Sequence, residues 1–330
     1  MISIIVPIYN GEKYIKNILS DFQNQKEKSF EVIFVDDGSN DNSYDCLMQE
    51  KETGEYSFSI KVIKQENKGV STARNTGIKH AQGNLICFVD VDDGIVPEYL
   101  LDMKMVIEKE NVDAVICKTA NTHNEFEENF NYTLYSKIEI LQAFLYQKVV
   151  TGIWSMMIKT EIIQKNNLFF ADGYKYSEDL HMAWRIFAFS DKVAVLDEKL
   201  YVYNVNAGSA MGKFNSSRKD SLELMKNLEP FFEINVPEFS KEYNQYAVAR
   251  MSWSLLWQSV YHFNDYKSFR NFVTSYHFKS DFKKLFSYNQ KYVALSSVIF
   301  CISPKLYYYL AKNKIKNINL KFKKEAICKK

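Results

Sequence analysis

Four largely apolar runs in the first 90 residues constrain the fold more than any other feature of this 330-residue chain. The runs are ISIIVPI (2–8), EVIFVDD (31–37), SIKVIKQ (59–65) and NLICFVD (84–90). Runs without polar alternation are typical of strands that are buried on both faces of a sheet. Helical patterns separate the runs, and this alternation predicts an α/β fold with a doubly wound, mostly parallel sheet.

Polar clusters lie at the carboxyl ends of all four runs. The clusters are PIYNGE (7–12), DDGSND (36–41), ENKG (66–69) and DVDD (90–93). Each cluster alone also suits an ordinary turn, because Asp, Asn and Gly are common turn residues. The carboxyl ends of parallel strands meet at one edge of a sheet, and ligands bind at that edge. The four clusters together therefore predict a binding site.

Acidic residues dominate the last of these clusters, where Asp90, Asp92 and Asp93 place three carboxylates within four positions. Hard cations such as Mg²⁺ and Mn²⁺ prefer carboxylate oxygens and leave coordination positions open for phosphate. We therefore expect Mn²⁺ or Mg²⁺ here, together with the diphosphate that it would bridge.

Other residues of the same edge suit a nucleotide. The Asp37 carboxylate can accept the imide N–H of a uracil ring, and backbone groups of residues 7–9 can frame the base. Arg74 can face a phosphate or a sugar. The chain has no P-loop pattern and no G-x-G-x-x-G after the first strand, which argues against both a P-loop and a dinucleotide site.

Five motifs in order carry a resemblance to a known family. IIVPIYN, VDDGSND, NKGVSTARNTG, FVDVDDG and the later SED (177–179) resemble glycosyltransferase family 2, over about residues 1–215. The chain is most similar to the bacterial enzymes that build capsule, teichoic-acid or lipopolysaccharide glycans. The resemblance implies a GT-A fold, which is a Rossmann-like α/β fold. It also implies a divalent metal, a nucleotide-sugar donor and inverting transfer of a hexosyl group to a hydroxyl of a glycan or lipid-linked saccharide.

The family's roles can be carried over onto matching positions of this sequence. Asp37 would hold the base, Arg74 would lie by the donor, Asp90 would contact ribose or sugar, and Asp92 would bind the metal. Asp179 would be the base that deprotonates the acceptor. The remaining donor-site positions implied by the resemblance are Pro7, Tyr9, Asn10, Glu12, Asn67, Gly69, Val91, Trp154 and Ser209. A place in the hydrophobic core is the alternative for Trp154.

Two features of the carried-over positions need separate mention. Asp179 lies in the first turn of a predicted helix that begins after Ser177, so we expect the helix to keep its carboxylate charged and not to raise its pKa. Many relatives have Y-x-Y-R near residue 204, where this chain has Tyr201-Val-Tyr203-Asn204. The missing arginine weakens the expectation of phosphate contacts in that segment.

The second half of the chain changes character, and we place a domain boundary near residue 215. Residues 216–330 read as helices rich in Tyr, Phe and Lys, which could pack on the first domain or on a second copy of the chain. Residues 311–330 carry eight lysines against one glutamate. Lysines beside apolar and aromatic residues suit a helix at a membrane interface, and a solvated terminus is the alternative.

Composition limits the location and partners. A net charge of +2 does not call for nucleic acid, the five cysteines are scattered without metal-ligand spacing, and no secretory signal opens the chain. The longest apolar run, residues 292–302, is about half of what crosses a bilayer. We expect a cytoplasmic protein, with peripheral contact at the inner face of the membrane if the basic tail binds there.

Two other functions are compatible with a nucleotide-binding sheet. A sugar nucleotidyltransferase would need a glycine- and arginine-rich loop after the first strand, which PIYNGEKYI does not provide. A catalytically inactive, membrane-bound scaffold would be expected to lose acidic positions, whereas Asp37, Asp90, Asp92 and Asp179 are all present. The sequence does not identify the transferred sugar or the acceptor linkage.

Overall fold

The computed structural model describes residues 1–126, 130–204, 216–276 and 278–328. The chain divides into two compact units, Met1–Ser209 and Ala210–Lys330. The boundary that we place near residue 215 falls in a stretch outside the described residues. Within the described parts of the chain, no helix has the combination of length and apolar character that crossing a membrane requires.

The first unit is built on a mixed sheet. Its strands are β1 (Ile2–Ile8), β2 (Phe30–Asp36), β3 (Ser59–Lys64), β4 (Leu85–Phe88), β5 (Gly94–Ile95), β6 (Ala114–Ala120), β7 (Tyr132–Ser136), β8 (Met156–Lys159) and β9 (Lys192–Val202). Among the described residues the strand order is β3-β2-β1-β4-β8-β6-β9-β5, and β7 pairs with β9. The first four strands run parallel, and β8 joins them antiparallel to β4.

Helices cover both faces of this sheet. They are α1 (Glu12–Gln23), α2 (Ser43–Thr53), α3 (Val70–His80), α4 (Tyr99–Glu110), α5 (Lys137–Leu145), α6 (Thr160–Lys165) and α7 (Glu178–Phe189). Alternate residues of a strand point to opposite faces. Val32 of β2 accordingly lies in one core cluster with Phe22 of α1, while Ile33 lies in another with Ala73 of α3. The predicted α/β fold is confirmed.

One strand differs from the sequence prediction. The sequence predicts two short strands, VAVLD (193–197) and LYVYNV (200–205), but β9 runs unbroken from Lys192 to Val202 and so joins them. The polar residues 197–199 lie where the two predicted strands meet. In the structure Asp197 pairs with Lys118 of β6, and Glu198 points into the protein with 1% of its surface exposed. Parallel pairing with β6 keeps this segment extended, with a register shift near Lys118.

The second unit consists of helices in its described residues. They are α8 (Asp220–Asn235), α9 (Pro237–His262), α10 (Tyr266–Thr274), α11 (Phe278–Lys284), α12 (Lys291–Ile302) and α13 (Pro304–Cys328). Aromatic pairs fill its interior. The rings of Phe232 and Tyr243 lie 4.3 Å apart, and those of Phe282 and Phe300 lie 4.6 Å apart. The Tyr243 hydroxyl donates to the Met225 carbonyl at 2.8 Å, which satisfies its buried oxygen.

A buried pair of carboxyl groups joins α4 to β9 in the first unit. Asp102 and Glu198 are 9% and 1% exposed, and their side chains are hydrogen-bonded. Burial, followed by repulsion from Glu198, raises the pKa of Asp102 to about 7. A hydrogen bond between two carboxyl groups needs a proton on one of them, so the pair favours the protonated form of Asp102.

This pair predicts a pH dependence of stability. The pKa of Asp102 is about 7 in the folded protein, against about 4 in an unfolded chain. Its stabilising contribution is therefore complete below pH about 4 and is lost as the pH rises towards 7. Asp102→Asn keeps a hydrogen-bond donor without a charge. We expect its advantage in thermal unfolding temperature over the wild type to widen from about pH 5 to about pH 8.

The exposed Asp45 of α2 offers a matched control, because Asp45→Asn also removes one carboxylate. The difference in thermal unfolding temperature between Asp45→Asn and the wild type should stay constant over the same pH range. If the Asp102→Asn difference were equally flat, Asp102 would not hold a proton in the folded protein.

Candidate active site

A buried arginine lies at the centre of the carboxyl edge of the sheet. The Arg74 side chain is 4% exposed; its Nη2 donates to Asp90 Oδ1 at 2.8 Å and its Nη1 to Glu178 Oε1 at 3.2 Å. Its guanidinium carbon also lies 5.3 Å from the ring centroid of Phe170. Burial by itself lowers the pKa of Arg74, but Asp90 and Glu178 outweigh it and raise the pKa above its ordinary value. Arg74 therefore stays charged and holds two acidic segments together.

Helix α3 also fixes the segment that leads into α7. Asn75 donates to the Phe170 carbonyl at 2.9 Å and accepts from the Phe170 amide at 2.7 Å. Thr72 donates to Asp172 at 3.0 Å. These contacts span about a hundred residues of sequence. They position the start of α7, where Glu178 and Asp179 lie.

Asp179 lies in the first turn of α7 and is half-buried. The expectation that its pKa is not raised is wrong. Burial and then repulsion from Glu178 raise the pKa, against the opposing effects of the Leu180 amide and of Arg74. A helix N-terminus favours the charged form only modestly, and burial next to other carboxylates outweighs it here. Ser177 precedes the helix with φ of 66°, and its side chain forms no capping hydrogen bond.

The three carboxylates of the loop after β4 have different surroundings. Asp90 pairs with Arg74. Asp93 is buried and accepts from the Tyr201 hydroxyl at 2.7 Å and from the Asn204 amide at 2.8 Å. Asp92 is half-buried. Burial raises the pKa of Asp93 to about 7, against the Asn204 amide. In the described residues, no group of three or more His, Cys, Asp or Glu side chains could hold a metal ion.

Tyr201 and Asn204 hold this loop, and sequence reasoning missed that role. The Tyr201 hydroxyl donates to Asp93 and accepts from the Asp90 amide at 3.2 Å. The Asn204 side chain donates to the Asp92 carbonyl at 2.9 Å. Asn204 stands where the resemblance to the family implies an arginine, and this difference was the only signal in the sequence. Sequence reasoning also missed Glu178 as the second partner of Arg74. Acidic residues are common in the first turn of a helix, so its position gave no sign of this contact.

Asp37 is buried, and its carboxylate orders the loop between β3 and α3. It accepts from the Gln65 side chain at 2.7 Å and from the amides of Lys68 and Gly69 at 3.0 and 2.7 Å. Gly38 follows it with φ of +71°, and a Cβ there would lie 2.8 Å from the Asn67 amide nitrogen. Asp37, Asn67 and Gly69 are thus brought together, as their placement at one edge predicted.

The loop after β1 meets the turn after β2. Asn10, with φ of 53°, accepts from the Asn40 amide at 2.8 Å, and Glu12 accepts from the Asn42 amide at 3.2 Å. Tyr9 is exposed, with its hydroxyl accepting from the Asn40 side chain at 3.3 Å. These three predicted positions therefore form one wall of the edge.

Four further predicted positions differ in their surroundings. Pro7 lies within β1, buried and in register with Val35. Val91 is 9% exposed and belongs to the core cluster. Trp154 accepts from the Tyr99 hydroxyl through its carbonyl at 3.0 Å, and its ring lies 6.1 Å from that of Tyr203. The fourth, Ser209, lies outside the described residues.

A family model described as glycosyl transferase family 2 matches residues 3–169, about half of the chain. The chain belongs to this family. The matched residues contain β1 to β4 and α3, and so most of the site described above; Glu178 and Asp179 follow the matched region. The family predicted from the sequence is confirmed.

Curated relatives and solved structures extend this comparison. The chain is 30% identical over 217 residues to the uncharacterized glycosyltransferase EpsJ of Bacillus subtilis, covering 63% of this chain and 62% of the relative. It is 28% identical over 229 residues to poly(ribitol-phosphate) beta-N-acetylglucosaminyltransferase TarS of Staphylococcus aureus, covering 68% of this chain and 39% of TarS. The chain therefore spans less than two thirds of the length of these two relatives.

Structural likeness covers more of the chain. The crystal structure of TarS residues 1–349 with UDP-GlcNAc is similar with a TM-score of 0.64 and 19% identity, over 96% of this chain and 91% of that one. A mannosyltransferase of Pyrobaculum calidifontis, solved with GDP-Man and Mn²⁺, gives a TM-score of 0.53 and 16% identity, over 92% and 87%. At this identity the likeness supports the GT-A fold alone.

The role of Tyr201 in this family 2 protein predicts a cost of its removal. Tyr201→Phe removes the hydrogen bond that the Asp90 amide donates to the hydroxyl and one of the two that Asp93 accepts, leaving the Asn204 amide on Asp93. An unmade buried hydrogen bond costs about 1–3 kcal/mol. We expect the free energy of unfolding, measured in urea, to fall by about this amount. Tyr203→Phe removes a half-buried hydroxyl two residues away and should cost less. Equal stabilities of the two variants would contradict this role of Tyr201.

Proposed function

We propose that the chain is an inverting, metal-dependent hexosyltransferase that moves a sugar from a UDP-sugar donor to a hydroxyl of a cell-surface glycan or lipid-linked saccharide. The observation that carries this proposal is the buried Arg74 held between Asp90 and Glu178, with Asp179 beside it at the carboxyl edge of the sheet. This arrangement places acidic side chains of two separate segments around the positively charged guanidinium of Arg74. The relative TarS, a poly(ribitol-phosphate) beta-N-acetylglucosaminyltransferase, supports a polymer acceptor.

A uridine nucleotide is the donor that the polar edge suits best. Asp37 would accept from the imide N–H of uracil with the lone pair of Oδ2 that remains beside the Gly69 amide, and residues 7–9 would frame the ring. Asn10, Glu12, Asn67, Gly69, Val91 and Trp154 would complete the donor site, as would Ser209. The UDP-GlcNAc complex of TarS supports this assignment, whereas the GDP-Man complex of the mannosyltransferase points to another base on the same fold.

Asp179 is proposed as the general base. It would take the proton of the acceptor hydroxyl as that oxygen attacks the anomeric carbon, while the nucleoside diphosphate leaves from the opposite face. A single displacement of this kind inverts the configuration. A carboxyl group whose pKa is raised towards neutrality binds the proton more strongly than an ordinary aspartate does, which suits a base that works near neutral pH.

A divalent cation, Mn²⁺ or Mg²⁺, fits the loop after β4 only with help from the donor. The resemblance to family 2 assigns the metal-binding carboxylate to Asp92, and diphosphate and water oxygens would complete the shell. When bound, the cation would neutralise charge on the departing diphosphate. The Mn²⁺ in the mannosyltransferase complex supports a metal on this fold.

Removal of the base gives the most direct test. Asp179→Asn keeps the size of the side chain but cannot accept a proton. We expect transfer to a glycan acceptor to fall by about 10²–10⁴-fold, with UDP affinity by titration within about twofold of the wild type. The wild-type rate should fall as the pH drops through the raised pKa of Asp179, because the protonated carboxyl cannot act as a base. The residual rate of Asp179→Asn should lack this acid limb.

Asp191→Asn is the matched control, since Asp191 lies after α7 with 91% of its side chain exposed. It should transfer like the wild type. Near-normal turnover of Asp179→Asn would remove Asp179 from the mechanism.

Metal removal tests the second part of the proposal. We expect transfer and donor hydrolysis to stop in excess EDTA and to return with Mn²⁺ or Mg²⁺. Asp92→Ala should lose both activities at the metal concentration that saturates the wild type. The exposed Asp45→Asn should behave as the wild type does. Full turnover in EDTA would contradict a metal-dependent reaction.

Two alternatives predict different results in the same assays. An inactive scaffold would bind UDP without turnover, and a nucleotidyltransferase would form the sugar nucleotide from a sugar phosphate.

The acceptor would be met at the inner face of the membrane if the lysine-rich α13 contacts anionic lipid there. The second unit could also join two copies of the chain.

A further inference from the structure

A cavity of about 320 Å³ lies within the second unit, between α9, α12 and α13. Its volume is at the lower end of the range found for small-molecule sites. Trp253 and Trp257 of α9 form one wall, with ring planes 5° apart and centroids separated by 6.0 Å. Ile299 of α12 and Leu310 and Ala311 of α13 add aliphatic surface. The cavity is therefore lined mainly by hydrocarbon and aromatic groups.

Of the three hydroxyl-bearing side chains that line this cavity, Ser296 and Tyr292 are already hydrogen-bonded, whereas the buried Tyr307 hydroxyl has no partner among the described residues. Ser296 accepts from the Trp253 indole at 2.8 Å and donates to the Val293 carbonyl at 3.0 Å. Tyr292 donates to Gln290 at 2.8 Å. A saccharide in the cavity would need several polar partners beside the aromatic wall. A hydrocarbon chain needs none, and it would gain from the apolar area that it buries.

The charge around the cavity is positive. Lys314 lies at the cavity with its Nζ 5.7 Å from the ring centroids of both Trp257 and Tyr292, and it is exposed. Residues 282–324, which contain α12 and most of α13, carry ten lysines and no Asp or Glu. A ligand with an anionic group is therefore complementary to this surface.

Exposed apolar side chains continue from the cavity onto the surface. Leu295 and Ile302 of α12 are 64% and 76% exposed, and Leu306 and Leu310 of α13 are each 50% exposed. Leu295 and Ile302 lie four before and three after Ile299, and Leu306 lies four before Leu310, so each group shares a helix face with a cavity residue. Apolar surface of this kind beside lysines suits the interface of an anionic membrane.

We propose that this cavity takes the hydrocarbon chain of one anionic lipid drawn from a membrane, with Lys314 pairing its headgroup. This site goes beyond the proposed transferase activity, because it uses no residue of the sheet edge. It also differs from adsorption of the lysine-rich tail on a membrane, since adsorption needs only surface charge.

Monomeric alkyl phosphates test the proposal on the full chain. Binding is measured by calorimetry and by tryptophan fluorescence with octyl and decyl phosphate below their micellar concentrations. Two added methylene groups should tighten binding by about 10- to 15-fold. Lys314→Ala should weaken decyl phosphate about fivefold and leave decanol unchanged. Inorganic phosphate should not bind measurably.

Filling the cavity gives the second arm. Ala311→Phe places a ring in the cavity and should abolish binding of decyl phosphate, whereas Asn313→Phe adds the same ring at an exposed position of α13 and should not. Both variants should still adsorb to anionic vesicles at low salt and bind UDP as the wild type does. Because UDP binding is measured separately, a negative result for the lipid site would not count against the proposed transferase activity.

Three outcomes would overturn the proposal. They are equal affinity for octyl and decyl phosphate, unchanged binding by Ala311→Phe, and displacement of decyl phosphate by maltotriose. The last would indicate a saccharide site. If Ala311→Phe did not fold, Lys314→Ala and the dependence on chain length would still decide, because Lys314 is exposed and its replacement leaves the packing intact.

Discussion

The buried guanidinium of Arg74 is the constraint on which the rest of the active-site edge depends. A charge without water must be compensated by partners of opposite charge at short distance, and removing one partner of such a group is strongly destabilising. Asp90 and Glu178 provide that compensation from the loop after β4 and from the start of α7. One side chain of α3 therefore fixes two acidic segments that are more than eighty residues apart in sequence.

Because of this constraint, some carboxylates of the edge stabilise the structure, and others have proposed roles in metal binding and proton transfer. Asp90 neutralises Arg74, and Asp93 is buried against Tyr201 and Asn204. The proposed metal would depend on Asp92 and on donor phosphates. Asp179 lies close to these charges, so that its proton affinity is raised by burial and by Glu178. The proposed pH dependence of transfer follows from the same crowding that holds the edge together.

Sequence reasoning identified the sheet and the edge because their signals are local. An unbroken apolar run and the polar residues after it are read within about ten positions. It failed where distant partners decide the outcome. VAVLD and LYVYNV read as two short strands, yet pairing with β6 on both sides of residues 197–198 keeps them in one strand, β9. Acidic residues are common in the first turn of any helix, so the residues around Glu178 did not indicate that it pairs with Arg74.

The sequence by itself determined the α/β class, the family and the edge on which polar groups gather, because hydrophobic patterning and ordered short motifs do not depend on distant contacts. Only the tertiary structure decided which carboxylate pairs with Arg74, which is buried against Tyr201 and how far the proton affinity of Asp179 is raised. It also decided that Trp253, Trp257 and Lys314 line a common cavity. These properties depend on burial and on distances of a few ångströms between segments that sequence spacing does not specify.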